Sequence, residues 1–245
     1  MKALILAAGY GTRLYSIIKD TPKALLEVNH KSLVNYILDR LRNVKDLNEV
    51  ILVTNEKFAS IFEEWAAAQD YFCPIRIVND GTTTPEDRLG SIGDIDFAIK
   101  QASVEDDLLV VGGDNLFNFN IEEYIVFARS QEKSVTIGCY DIEDIEGASK
   151  FGVVAVDENH RVTSFEEKPE HPKSTLISMC FYYLPQSALS LCEGYLKETE
   201  KSDTAGDFIR WLLNKNDVCG FKFSGKWYDI GSVESYEEAQ KEFLT

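Results

Sequence analysis

Apolar residues along the chain come in short blocks that alternate with stretches of helical spacing. Residues 3–6, 50–54, 75–78, 108–111 and 135–138 are runs of four or five, rich in branched side chains, the pattern of strands buried on both faces. Between them, residues 32–41, 58–68, 92–101 and 121–130 repeat apolar side chains at three- and four-residue spacing, as amphipathic helices do. This alternation predicts an α/β fold: a Rossmann-like, mostly parallel central sheet with helices on both faces. Beyond about Asp141 the rhythm changes. Residues 151–156, 161–166 and 176–184 follow one another closely, the first two joined by the turn Asp157-Glu158-Asn159-His160, and predict a small antiparallel strand group beside or on the sheet. Helical spacing returns at 186–199 after Pro185, at 207–214, and at 235–243 after Ser232. No repeat, linker or low-complexity stretch appears, so residues 1–245 read as one domain with two subregions, 1–140 and 141–245.

Composition adds limits on partners. The 245 residues are 44% hydrophobic and 27% charged, ordinary globular values, and a chain of this length buries about 70% of its unfolded surface. Lys and Arg number 25 against 41 Asp and Glu, a net charge of −16. That balance argues against nucleic acid and against anionic membrane surfaces. A small phosphorylated ligand stays compatible where basic side chains converge or a divalent cation screens the charge. The five cysteines (Cys73, Cys139, Cys180, Cys192, Cys219) form no C-x-x-C pair, so they read as reduced, packed thiols rather than metal ligands. The opening apolar run is too short to span a bilayer and leads into glycines rather than a cleavage site. The expectation is a cytoplasmic protein, with homo-oligomerisation left open.

Candidate chemistry begins at Leu6-Ala7-Ala8-Gly9-Tyr10-Gly11-Thr12-Arg13-Leu14. Glycines let a backbone approach a polyphosphate and present N–H donors to it, and Arg13 is placed to add a bidentate contact. A dinucleotide fingerprint would need a third glycine where Leu14 stands and a second strand about twenty residues on. Instead a basic loop containing Pro22 intervenes before the strand near Val50, which suits an open triphosphate site better than a nicotinamide cofactor. Lys23 follows Pro22 and is placed to bridge phosphate oxygens or to be solvated. Asp114 closes the run Val110-Val111-Gly112-Gly113 at the carboxyl end of a strand, where α/β proteins bind ligands. Asp229, in Trp227-Tyr228-Asp229-Ile230-Gly231, supplies a second carboxylate. Mg²⁺ takes one or two carboxylates plus phosphate oxygens, whereas either aspartate alone reads equally as a cap or turn residue.

In chain order these elements resemble the sugar-1-phosphate nucleotidyltransferases (nucleotide-sugar pyrophosphorylases), nearest in type to the glucose-1-phosphate thymidylyl- and uridylyltransferases. The opening glycine motif with Pro22-Lys23 is similar to the family signature and Gly113-Asp114-Asn115 to its metal motif. Phe151-Gly152-Val153-Val154 resembles its sugar-side strand, Glu167-Lys168-Pro169 its EKP element, and Asp229-Ile230-Gly231-Ser232 its late aspartate. The resemblance runs from Lys2 to about Ala239. It implies that a sugar 1-phosphate oxygen attacks the α-phosphorus of a nucleoside triphosphate and pyrophosphate leaves in line. Such chemistry rests on positioning two anions and neutralising charge between them.

On that resemblance Ala8, Gly9, Gly11 and Thr12 would hold the triphosphate, with Arg13 stabilising the departing pyrophosphate and Lys23 contacting the α-phosphate. Lys168 would hold the sugar's phosphate and Glu167 its ring hydroxyls, alongside Gly152. Asp114 and Asp229 would anchor Mg²⁺, and Asn79 and Gly90 would lie at the base and ribose. Arg88, in the exposed loop before Gly90, would pin that loop or be solvated. His30, His160 and His171 fall in turns outside these motifs and receive no catalytic role. The chain departs from the family pattern at Ser16, where members often carry Pro. It also has Met179-Cys180 where members that activate glucose or N-acetylglucosamine phosphates commonly have Thr-Gly, a change that reads as core packing or an altered sugar pocket. With no hexapeptide repeat, a monofunctional enzyme is expected, with dTTP or UTP and glucose 1-phosphate as leading substrates. Guanylyl or cytidylyl transfer to another phosphorylated alcohol, and a catalytically silent regulatory subunit, are the alternatives.

Overall fold

The computed structural model describes residues 1–14, 20–199, 205–215 and 218–243. Within them the strands are β1 (Lys2–Leu6), β2 (Glu27–Val28), β3 (Lys31–Ser32), β4 (Glu49–Thr54), β5 (Ile75–Asn79), β6 (Leu108–Gly112), β7 (Asn115–Phe117), β8 (Val135–Asp141), β9 (Gly152–Val156), β10 (Val162–Glu167), β11 (Leu176–Leu184), β12 (Val218–Lys222) and β13 (Trp227–Asp229). The helices are α1 (Leu33–Leu41), α2 (Ala59–Ala67), α3 (Gly90–Gln101), α4 (Ile121–Ser130), α5 (Ser190–Glu198), α6 (Ala205–Leu213) and α7 (Val233–Glu242). No helix among the described residues is long and apolar enough to cross a membrane.

β6, β1, β4 and β5 lie side by side and parallel, so their carboxyl ends share one edge. Alternation along these strands feeds two cores. Ala3, Ile5, Val50, Leu52, Leu109 and Val111 pack with α1, α2 and α4. Leu4, Ile51, Val53, Leu108 and Val110 pack with α3, α5 and α6. Where both faces are apolar, as on β1, β4 and β6, the strand reads as a nearly continuous hydrophobic run; the edge strand β5 exposes Arg76. Helix starts follow local chemistry: Ser32 accepts from Asn35 N at 3.4 Å ahead of α1, and Ser232 and Ser235 form a reciprocal cap on α7.

The expected antiparallel group grows out of the parallel sheet. β11 pairs with β8 along one edge; on the other edge its second half pairs antiparallel with β6 and its first half with β9. β10 closes that branch on β9, and β12 adds parallel to β8. Met179 and Cys180 sit where the partner changes from β9 to β6, in the irregular stretch of the β8–β11 ladder between Ser178 and Tyr182.

The division at residue 140 is crossed by the chain's last segment. β13 pairs antiparallel with β7, and α7 packs into a third core of Leu14, Leu26, Val28, Leu33, Tyr36, Leu116, Ile230, Ala239 and Phe243. Phe243 meets Tyr36 edge-on at 5.3 Å.

Candidate active site

The carboxyl ends of β1 and β6 border a cleft of about 600 Å³. β1 runs into the glycine loop, which is fixed from below by buried side chains at the end of β4. Asn55 Nδ2 donates to Ala8 O at 2.8 Å and Thr54 Oγ1 to Ala7 O at 3.4 Å. Gly11 turns the chain with φ +63°, and a 3₁₀ turn over Thr12–Leu14 buries Leu14 while leaving Thr12 and Arg13 exposed. A Cβ on Gly9 would meet nothing within 4 Å, so this glycine faces open cleft.

Gly113 brings the second motif against the first. Its N–H donates to Leu6 O at 2.8 Å, and a Cβ there would lie 2.8 Å from the same oxygen. Only glycine permits that approach, which delivers Asp114 beside the glycine loop. Lys23 Nζ donates to Asp114 Oδ2 at 2.7 Å across the cleft. The β7–β13 ladder sets Asp229 opposite Asn115, and Ile230 N donates to Asp114 O at 3.0 Å. Burial, then the neighbouring Asp114 carboxylate, push the Asp229 carboxyl up to about 6 against the pull of Lys23, Arg13 and Lys168.

On the branch side, Glu167 and Lys168 end β10. Lys168 has φ +43°, a left-handed conformation that costs a non-glycine residue about 1–2 kcal/mol; such strain concentrates at functional positions. Its N–H donates to Phe151 O at 3.0 Å, and its Nζ lies 3.9 Å from Glu167 Oε1. Burial raises the Glu167 carboxyl above the usual range, with Lys168 opposing. The first turn of α6 abuts Glu167: a Cβ on Gly206 would lie 2.0 Å from Glu167 Oε2.

Eleven of the thirteen expected site residues therefore line one cleft: Ala8, Gly9, Gly11, Thr12, Arg13, Lys23, Gly90, Asp114, Glu167, Lys168 and Asp229. Two do not. Asn79 is engaged at the end of β5, donating to Glu56 Oε2 at 2.5 Å and accepting from Gly81 N at 2.9 Å. Gly152 lies behind Glu167, its opposite residue in the β9–β10 ladder, and makes room for the Phe165 ring, 2.4 Å from where a Cβ would be. Ser16, and Lys19 of the basic loop before Pro22, lie outside the described residues. His30, His160 and His171 are exposed and line no part of the cleft.

Sequence reading passed over Asn55, Ser91 and Asp94, and left open the placing of Arg88, Met179 and Cys180. Asn55 is fully buried under the glycine loop, and its place just past β4 is the signal that would have marked it. Ser91 and Asp94, near the start of α3, line the cleft with Arg88, which also donates to Pro85 O at 3.3 Å. Met179 is buried in the core while Cys180 lines the cleft. Burial, then Asp114 and Asp229, push the Cys180 thiol up to about 12.

The donor set fits Mg²⁺. Asp114 and Asp229 offer hard oxygen donors, and a divalent cation would offset the burial and the neighbouring Asp114 charge that raise the Asp229 carboxyl. No group of three or more His, Cys, Asp or Glu side chains placed to hold a metal occurs among the described residues.

The chain is 26% identical over its full length to the bifunctional protein GlmU of Methanocaldococcus jannaschii, 54% of which the match covers. It is 32% identical over 138 residues, 56% of the chain, to glucose-1-phosphate adenylyltransferase of Lachnospira eligens, covering 32% of that protein. The chain thus spans about half or less of the length of these curated relatives. Two solved structures share the fold. One is a Bacillus anthracis protein assigned as a glucose-1-phosphate thymidylyltransferase, in complex with sucrose (TM-score 0.83, 23% identity, 98% of this chain and 94% of that one). The other is UDP-glucose pyrophosphorylase complexed with UDP-glucose (TM-score 0.82, 22% identity, 99% and 97%). The model of the nucleotidyl transferase family matches residues 2–245, and the chain belongs to that family.

Proposed function

We propose that the protein transfers a nucleotidyl group from a nucleoside triphosphate to a sugar 1-phosphate, releasing pyrophosphate and forming a nucleotide sugar. The observation that carries this reading is the convergence of Arg13, Lys23 and Lys168 with Asp114 and Asp229 in a single cleft. Three cations suit two phosphorylated substrates, and two carboxylates suit the cation between them. A volume of about 600 Å³ is in the range of pockets that enclose small-molecule ligands.

The backbone from Ala8 to Thr12 and the Arg13 guanidinium bind the β- and γ-phosphates and stabilise the leaving pyrophosphate. Lys23 neutralises charge developing at the α-phosphate, and the Lys168 ammonium aims the sugar phosphate at it. Glu167 accepts hydrogen bonds from ring hydroxyls. Asp114 and Asp229 would hold Mg²⁺, which when bound supplies charge neutralisation for the phosphate oxygens. No side chain need remove a proton, because a sugar phosphate is ionised near neutral pH.

For the substrates we propose dTTP or UTP with glucose 1-phosphate. Names of the structural neighbours support this pair, and the adenylyltransferase relative makes ATP the control that matters most. The test is pyrophosphate release with Mg²⁺, each common triphosphate crossed with a panel of sugar 1-phosphates. Release requiring one triphosphate and one sugar phosphate together is expected. Triphosphate binding without release from any pair would refute sugar-phosphate transfer.

A further inference from the structure

Next to Asp114 stands a buried amide to which the proposed chemistry assigns no part. Asn115 is 2% exposed. Its Oδ1 accepts from Trp227 Nε1 at 2.7 Å, and its Nδ2 donates to Gly112 O at 3.1 Å and Asp114 Oδ1 at 3.2 Å. Indole nitrogen only donates, so Trp227 dictates which end of the amide is oxygen and turns both amide hydrogens toward Gly112 and Asp114. Lys23 takes the other Asp114 oxygen, Oδ2. A single contact fixes one oxygen of a carboxylate; the carboxylate torsion is soft, and a donor on each oxygen is what sets its plane. Gly112 is shaped around this arrangement, since a Cβ there would fall 2.5 Å from Asn115 Nδ2 and 2.9 Å from Asp114 Oδ1.

We infer that Asn115 is a positioning residue for this site: its amide, oriented by Trp227, holds the Asp114 carboxylate in the plane that receives the substrate-bound cation. The inference rests on the nucleotidyl-transfer reading above. Trp227 lies two residues before Asp229 on β13, and Asn115 is the ladder partner of Asp229. One hydrogen-bond relay thereby ties β13, which ends on Asp229, to β7, which directly follows Asp114, and the position of each carboxylate is coupled to that of the other. Tyr140 and Phe151 hold the Trp227 ring at 5.5 and 5.6 Å, so Trp227→Phe removes the N–H while keeping most ring contacts.

The test is Mn²⁺ affinity by electron paramagnetic resonance, with dTTP or UTP and no sugar phosphate, read beside thermal stability. Wild type, Asn115→Ala, Trp227→Phe and the double variant form the cycle. Loss of a group that orients a metal ligand typically costs about 10–100-fold in metal affinity; Asn115→Ala is expected in that range and Trp227→Phe below it. The double variant should bind no more weakly than Asn115→Ala alone, because both changes break one relay. Wild-type affinity in Asn115→Ala, or losses that multiply in the double variant, would overturn the inference while leaving the function standing. A wild type that binds neither Mn²⁺ nor triphosphate would remove both. Should Asn115→Ala fail to fold, Trp227→Phe decides alone: weaker Mn²⁺ binding at unchanged melting temperature supports the relay, and wild-type affinity refutes it.

Discussion

Asp229 carries a cost in the metal-free protein that an isosteric change would remove. Its carboxyl is raised from 3.8 to about 6, a difference of about two units, worth about 3 kcal/mol at about 1.4 per unit. Burial makes the larger part; the rest comes from Asp114 and relaxes when either group reorients, which leaves about 1–3 kcal/mol for Asp229→Asn. A carboxyl whose folded pKa lies above its unfolded value destabilises the fold when ionised. The penalty is therefore complete above about 6 and fades as pH falls toward 3.8. In EDTA at pH 8, Asp229→Asn should melt about 2–12 °C higher than wild type, at about 2–4 °C per kcal/mol for a chain of this size. Near pH 4 the two melting curves should converge. Pyrophosphate release with Mg²⁺ should fall by orders of magnitude in the same variant, since a charged ligand is lost. An Asp229→Asn protein no more stable than wild type at pH 8, or a gap that persists at pH 4, would refute the account of Asp229 as a carboxylate penalised by burial and by Asp114.

Three further outcomes follow from local geometry. Gly113→Ala places a methyl 2.8 Å from a backbone oxygen and should cost about 1–3 kcal/mol in urea unfolding, whereas Gly9→Ala, with open space, should stay within about 0.5 kcal/mol and lose triphosphate affinity measured by calorimetry. Lys168→Ala should raise the KM for sugar phosphate about 10–100-fold, the loss expected for a charged hydrogen bond, with the triphosphate KM unchanged; equal rises for both would remove its assignment. Phe243→Ala empties a fully buried site against Tyr36 and should cost about 3–5 kcal/mol by denaturant titration.

Legibility in the sequence tracked how each element is buried. β1, β4 and β6 stand out as apolar runs because helices cover both of their faces, and the edge strand β5 shows as a weaker run broken by exposed Arg76. The hairpin β2–β3 is invisible to periodicity: its strands have two residues each, and its turn is made by Asn29 and His30 at φ +50° and +63°. β12 hides because Gly220 breaks a five-residue run, a glycine required where a Cβ would lie 2.8 Å from Val156 Cγ2. Charged site residues were legible one by one as motif members. Asn115 was legible only as the last letter of Gly113-Asp114-Asn115, without a role, and Asn55 not at all, because a buried amide announces itself only through the partners that satisfy it.

The ladder that unites the site is the least legible element of all. β7 and β13 have three residues each and lie more than a hundred positions apart, yet they alone set Asn115 opposite Asp229 and bring Ile230 N to Asp114 O. Three-residue strands gain little from backbone pairing by themselves. Their register is held from both ends: Trp227 reaches across to Asn115, and Ile230 is fully buried in the core that α7 closes. The final helix, which touches none of the cleft, is thus coupled to the carboxylates through the strand it follows. If that coupling operates, Phe243→Ala should weaken Mn²⁺–triphosphate binding as well as stability at temperatures where the protein remains folded. Intact metal affinity in a folded Phe243→Ala protein would show that the ladder holds its register without α7.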